Sequence, residues 1–166
     1  PSDVINDNAR MTLALLDGMR ECEMAVPVTF FSSANVPPAI DIIALSQAPK
    51  IDGYVIGKAM AESFWFSASR QRKFPLMIVR AVGAYGPRDT FNEDANLIPA
   101  LMVQARDEDE TLTVRGDGLQ ERAFLFIKDL VRAVLLLRDE SAQGIQYITS
   151  GDVVTVRDLA TKIRDL

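Results

Sequence analysis

The chain has 166 residues, 48% of them hydrophobic and 25% charged, enough for one globular domain with a real core. Its 18 basic and 23 acidic residues leave a net charge of -5, with no long basic run, a poor match to phosphate-driven binding of nucleic acid. With no histidine and the single Cys22, the chain cannot assemble a Ser-His-Asp or Cys-His nucleophile, a zinc site or an internal disulfide, and a reducing compartment is expected. No apolar stretch reaches membrane-spanning length and the N-terminus lacks a signal-peptide layout, so the expectation is a soluble cytoplasmic protein without a membrane or nucleic-acid partner.

Asn6 to Arg20 predicts a helix, with Ala9, Leu13, Leu16 and Met19 at helical spacing and Ser2 or Asp3 as its cap. The apolar run Ala25 to Phe31 predicts a buried strand, with Ser32-Ser33 directly after it at a polar edge. Pro37, Pro38 and Pro49 make 34–52 an irregular connection. A helix is expected over 53–70 and a buried strand over 76–79, then a loop opened by Gly83, Gly86 and Pro87 that ends near Asn96. Beyond it come a helix over 97–105, the acidic run Asp107 to Glu110 as a solvated loop, a short strand over 112–114 and a turn at Gly116-Asp117-Gly118. A strand over 124–127 precedes an apolar helix over 129–138, and Tyr147-Ile148 adds a further short strand. Thr155 with Asp158 is a start signal for the last helix. Strands alternating with helices predict an α/β domain with a mainly parallel sheet.

The most informative spacing is Tyr54-Val55-Ile56-Gly57-Lys58. On a helix the phenol and the ammonium share a face. A free tyrosine loses its proton only near pH ~10, and an adjacent cation lowers that value, which makes the phenol usable as a general acid or base. Ser33, at a strand end, is placed to reach a substrate oxygen above the sheet edge, where open α/β sheets bind ligands. Taken singly, a Tyr with a Lys four residues on reads as a solvent-facing pair, and a Ser-Ser pair as a turn or helix cap. Together, a strand ending in serines, a proline-containing connection over 34–52 and Tyr-x-x-x-Lys on a helix form a much rarer combination.

Several blocks, in order, resemble the extended short-chain dehydrogenase/reductase family, specifically its NAD-dependent nucleotide-sugar epimerases and dehydratases. Asn8 with Thr12-Leu13 is similar to the family's Asn-x-x-Gly-Thr helix, Met11 standing where glycine is usual. Phe31-Ser32-Ser33-Ala34-Asn35-Val36 is similar to its Ser-Ser-Ala-x-Val strand end, and Tyr54 to Lys58 to its Tyr-x-x-x-Lys. Arg80 with Tyr85-Gly86-Pro87 resembles its Arg-Pro-x-Asn-Val-Tyr-Gly-Pro loop, and Asn96-Leu97-Ile98-Pro99 its nucleotide-sugar helix. Gly116 to Phe124 followed by Asp129 resembles its Gly-Asp-Gly-x-Gln-x-Arg-x-Phe block, and Gly151 to Leu159 its last matched segment. The resemblance implies a Rossmann-like parallel sheet with helices on both faces, plus a small substrate-binding subdomain. Residues 1–90 would belong to the dinucleotide-binding domain and 91–166 mainly to the substrate region. It implies Tyr54 as the acid/base, Lys58 as the group that holds the nicotinamide ribose and lowers the Tyr54 pKa, and Ser33 as the hydrogen-bond partner of the reacting oxygen. Asn8 joins Tyr54 and Lys58 toward NAD or NADP, and Asn96, Leu97 and Arg122 hold the nucleotide sugar. It also implies a homodimer, through the helices over 6–20 and 53–70.

The sequence departs from that family in places. The Gly-x-x-Gly-x-x-Gly fingerprint that seats the pyrophosphate has no counterpart here, so the expected fold lacks its N-terminal βαβ part. Gly83 stands where the family often has Asn, and Pro37-Pro38 in place of Tyr-Gly. The Ser-Ser-Ala end followed by Pro, with Gly-Asp-Gly-Leu-Gln, resembles GDP-mannose 3,5-epimerases more than galactose epimerases. Other readings stand beside these: Asn96 as a helix cap, Arg122 paired with Asp117 or Glu121, Trp65 and Phe66 as core or dimer-interface residues. At the level of function, the alternatives are a non-catalytic relative serving as a binding or assembly subunit, and an NAD(P)-dependent ketone reductase.

Overall fold

The computed structural model describes residues 2–38, 53–92, 95–106 and 111–166. In chain order the elements are α1 (Ser2–Glu21), β1 (Val28–Ser33), α2 (Gly53–Arg72), β2 (Leu76–Ala81), β3 (Gly83–Tyr85), α3 (Leu97–Arg106), β4 (Glu121–Phe126), α4 (Ile127–Asp139), β5 (Gly144–Ile148), β6 (Val153–Thr155) and α5 (Val156–Arg164). They divide into two units, one of Pro1–Ala81 with Val134–Ile148 and one of Val82–Ala133 with Thr149–Leu166. None of the described helices is long and apolar enough to cross a membrane.

In the first unit, β1, β2 and β5 form a parallel sheet in the order β1-β2-β5. β2 is central, and its Leu76-Met77-Ile78-Val79 run is buried throughout, as a strand covered on both faces requires. A helix, α2, makes the β1-to-β2 crossover that parallel pairing demands. Trp65 of α2 packs with Phe74, Leu76 and Ile78, and Leu16, Met19, Val28, Phe30 and Phe66 close around them. Trp65 meets Phe74 edge-on at 6.4 Å and Phe30 at 6.2 Å, geometries aromatic pairs favour. Trp65 is therefore a core residue.

The face that α1 turns to the protein is the stripe the sequence suggests, except that Thr12 takes the place of Leu13. Thr12 is buried, with Ile5, Asn8, Ala9, Leu16 and Met19 half-buried around it, whereas Leu13 is exposed. The helix packs on α2 closely enough that a Cβ at Gly57 would meet Asn8 Cβ at 3.3 Å and Ile5 Cα at 3.4 Å. Arg72 of α2 ends α1 by donating from Nη2 to the carbonyls of Met19 and Met24, at 2.7 and 3.0 Å. The cap expected of Ser2 or Asp3 lies outside the described side chains. At Gly57, alanine should be near neutral, because gained helix propensity offsets a tight contact. Gly57→Val should cost about 1–3 kcal/mol by separating the two helices, seen as a lower urea midpoint; an unchanged midpoint would refute the close approach.

Strand boundaries moved where hydrogen bonds outside the sheet compete with apolar runs. β1 begins at Val28 rather than Ala25, because the chain at Cys22 and Met24 is tied back to Gly18 and Met19 of α1. It also includes both serines, paired with Arg80 and Ala81. The strand expected over 112–114 is absent: Thr113 donates its N–H to the Gln104 side chain at 2.7 Å instead of to a ladder. Residues 39–52, most of the proline-containing connection, and the acidic run 107–110 lie outside the described residues.

In the second unit, β4 pairs in parallel with β3 and antiparallel with β6. β3 and β6, three residues each, are too short to leave a periodic signal. α5 starts as the sequence indicates: Thr155 Oγ1 accepts from the Asp158 N–H at 3.0 Å. The Gly116-Asp117-Gly118 turn docks on that helix start, with the Arg157 N–H reaching the Gly118 carbonyl at 2.9 Å. Gly86 has φ +155, and a Cβ there would lie 2.5 Å from Ile127 Cγ2, so no larger residue fits.

Candidate active site

The two serines ending β1 face different partners. Ser33 is buried, and its Oγ accepts from the Asn35 N–H at 3.2 Å, while its carbonyl accepts from the Val36 N–H at 3.1 Å. This is the turn-capping role open to a strand-end serine. A hydroxyl that accepts here keeps its own proton for another acceptor. Ser32 instead donates to Glu62 Oε1 of α2.

On α2, Tyr54 and Lys58 are one helical turn apart. The Lys58 ammonium lies 5.7 Å from the Tyr54 ring centroid and 5.2 Å from that of Phe30. It donates to the Phe31 carbonyl at 3.0 Å, which ties α2 to β1 two residues before Ser33. Burial pushes the Lys58 pKa below its ordinary value, and the Glu62 carboxylate, a turn further along, opposes that shift. Tyr54 is 37% exposed. Asn8 faces α2 at Gly57, the residue before Lys58, and its Nδ2 donates to the Val4 carbonyl at 2.9 Å. The structure thus gathers Tyr54, Lys58, Asn8 and the end of β1 within one unit.

Asn96, Leu97 and Arg122 belong to the other unit. The Asn96 carbonyl accepts the first α3 bond, from the Ala100 N–H at 2.9 Å, which puts Asn96 at the helix cap with its side chain exposed. Leu97 opens α3, half-buried. Arg122 is exposed on β4, where its Nη1 has a long 3.5 Å contact with the Glu121 backbone carbonyl rather than a carboxylate. Asp117, weighed as its partner, instead accepts the Leu119 N–H at 3.0 Å. Nearby, Tyr85, Arg88, Asp89 and Ile127 line an open depression at the Tyr85-Gly86-Pro87 block.

Sequence reasoning missed the polar group beneath the Tyr-Lys pair. Arg80 sits in β2 with no exposure, not in the loop with Tyr85. Its Nε and Nη2 donate to Glu62 Oε1 and Oε2 at 2.9 and 2.6 Å, a bidentate pair in which neither side chain is exposed. Its Nη1 donates to the Pro37 carbonyl at 3.0 Å and to Tyr147 Oη at 2.5 Å. The hydrogen bonds it donates to Glu62 raise the Arg80 pKa despite burial. The available signals were an Arg ending an otherwise apolar strand and a Glu four residues after Lys58 on the same helix face.

Residues 1–149 match the model of the NAD dependent epimerase/dehydratase family. The chain belongs to that family. Over 170 residues it is 26% identical to dTDP-4-dehydro-6-deoxy-D-allose reductase of Streptomyces bikiniensis, covering 98% of this chain and 52% of that enzyme. Over 114 residues it is 34% identical to UDP-N-acetyl-alpha-D-glucosaminuronate decarboxylase of Bacillus cytotoxicus, covering 68% of this chain and 35% of that enzyme. In structure it is similar to the Thermus thermophilus UDP-glucose 4-epimerase complexed with NAD, with a TM-score of 0.74 and 20% identity over 95% of this chain and 53% of that one, which shows the Rossmann-like fold. The chain spans about half the length of the first curated relatives it matches.

Proposed function

We propose that this family member carries the catalytic and substrate-binding part of an NAD-dependent epimerase or dehydratase acting on a nucleotide sugar, with Tyr54 as the acid/base. The observation that carries the reading is the Lys58 ammonium, fixed by the Phe31 carbonyl at the end of β1 and held over the Tyr54 ring. One of its three N–H bonds is used by Phe31, so the others suit the hydroxyls of a nicotinamide ribose. The same charge favours the Tyr54 phenolate. Tyr54 would take the proton of a sugar hydroxyl at the carbon that is oxidised and give it back when that carbon is reduced again. Ser33 donates its remaining proton to the reacting oxygen. Bound NAD or NADP supplies the hydride acceptor. Asn8 supports the cofactor side, in residues 1–90. On the substrate side, in 91–166, Asn96, Leu97 and Arg122 hold the nucleotide, the guanidinium suiting diphosphate oxygens. The reading includes a homodimer in the cytoplasm, consistent with Met11 and Leu15 exposed on α1.

A reductase of a nucleotide keto-sugar is the second reading, favoured by the reductase among the relatives. Net oxidation of reduced nicotinamide over many turnovers selects it; redox-neutral turnover selects the first. The joint test uses the native protein that carries these residues. Lys58→Met should weaken nicotinamide binding about tenfold, the effect of one charge-assisted hydrogen bond, in a titration followed by fluorescence. Native protein that binds no nicotinamide and turns over no nucleotide sugar would overturn both readings.

A further inference from the structure

We propose that Glu62 and Arg80 are positioning residues that act through Ser32 and the Pro37 carbonyl to hold the turn carrying Ser33. This rests on the reading of Ser33, Tyr54 and Lys58 as the active site. Ser32, Arg80 and Tyr147 occupy one level of the sheet, register partners across β1, β2 and β5. Adjacent strands at one level present their side chains to the same face, so the three form a polar row across an otherwise apolar layer. Glu62 closes that row from α2, bonded to Ser32 and doubly to Arg80.

A buried ion pair of this kind is not needed for a stable core, since packed apolar residues often serve as well. What distinguishes this one is where its remaining bonds go. Ser32 immediately precedes Ser33, and Pro37 follows the turn that Asn35 and Val36 make back to Ser33. The turn is thus clamped on both sides by groups bonded to one Glu-Arg pair. Glu62 also lies a helical turn from Lys58, so the element carrying the ammonium is registered to the strand end carrying the serine. Loss of the Ser32 bond should leave the ion pair intact and loosen only the link to β1. Reacting groups displaced by a fraction of an ångström lose rate steeply, a loss that falls on kcat.

The test is steady-state kinetics of the native protein with Ser32→Ala and Ser32→Thr, beside Tyr54→Phe. Ser32→Ala should lower kcat about tenfold with KM held and the thermal midpoint lowered only modestly, by the loss of one hydrogen bond to a carboxylate, and Ser32→Thr, which restores a hydroxyl, should recover most of the rate. Wild-type kcat in Ser32→Ala, a loss that Ser32→Thr does not repair, or a loss that falls on KM instead of kcat would each overturn the positioning role. If Tyr54→Phe is inactive while Ser32→Ala is normal, only this inference falls. If Tyr54→Phe retains full kcat, the active-site reading itself falls and takes this inference with it.

Discussion

Tyr54→Phe should lower kcat of the native protein by about 10²–10⁴-fold, the range expected when a general acid/base is removed. The substitution keeps the ring, and with it the contact to the Lys58 ammonium at 5.7 Å. Tyr54 is 37% exposed, so its side chain contributes little to the core, and the unfolding transition should stay where it is. The loss should appear in kcat more than in KM, because the phenol acts on a proton that moves only in the chemical step. A variant with native stability and native kcat would remove Tyr54 from the mechanism. A variant with lower kcat and lower stability together would point to a packing role, and the native thermal midpoint separates the two cases.

The parts of this site legible in the sequence are those with a spacing rule behind them. Tyr54 and Lys58 share a helix face because residues four apart must, and the structure places them as that rule requires. Thr155 and Asp158 form their cap for the same kind of local reason. The family blocks from Asn8 to Phe124 and Asp129 fall within the match over residues 1–149. What escaped depends on chain segments distant in sequence. Glu62 and Arg80 are 18 positions apart and Arg80 and Tyr147 are 67, and no local periodicity links them. On α1 the expected stripe holds at Ala9, Leu16 and Met19 and fails at one position: Thr12, polar by type, is buried against the protein while Leu13 is not. Residues 112–114 have the apolar alternation of a strand, but Gln104 on α3 captures the Thr113 N–H, a contact invisible to pattern.

Glu62→Ala and Arg80→Ala should each cost about 3–5 kcal/mol, because each strands a charge where neither side chain meets water. In Glu62→Ala the guanidinium keeps the Pro37 carbonyl and Tyr147 Oη as acceptors, whereas in Arg80→Ala the carboxylate keeps only the Ser32 donor among the described bonds. Arg80→Ala should therefore be the larger of the two losses. Urea titrations of the native protein and both variants measure this directly, as midpoints at unchanged slope. A larger loss in Glu62→Ala would show that the bonds to Pro37 and Tyr147 do not hold the guanidinium. Deficits below about 1 kcal/mol would show that water reaches the pair and that it acts as a surface bridge.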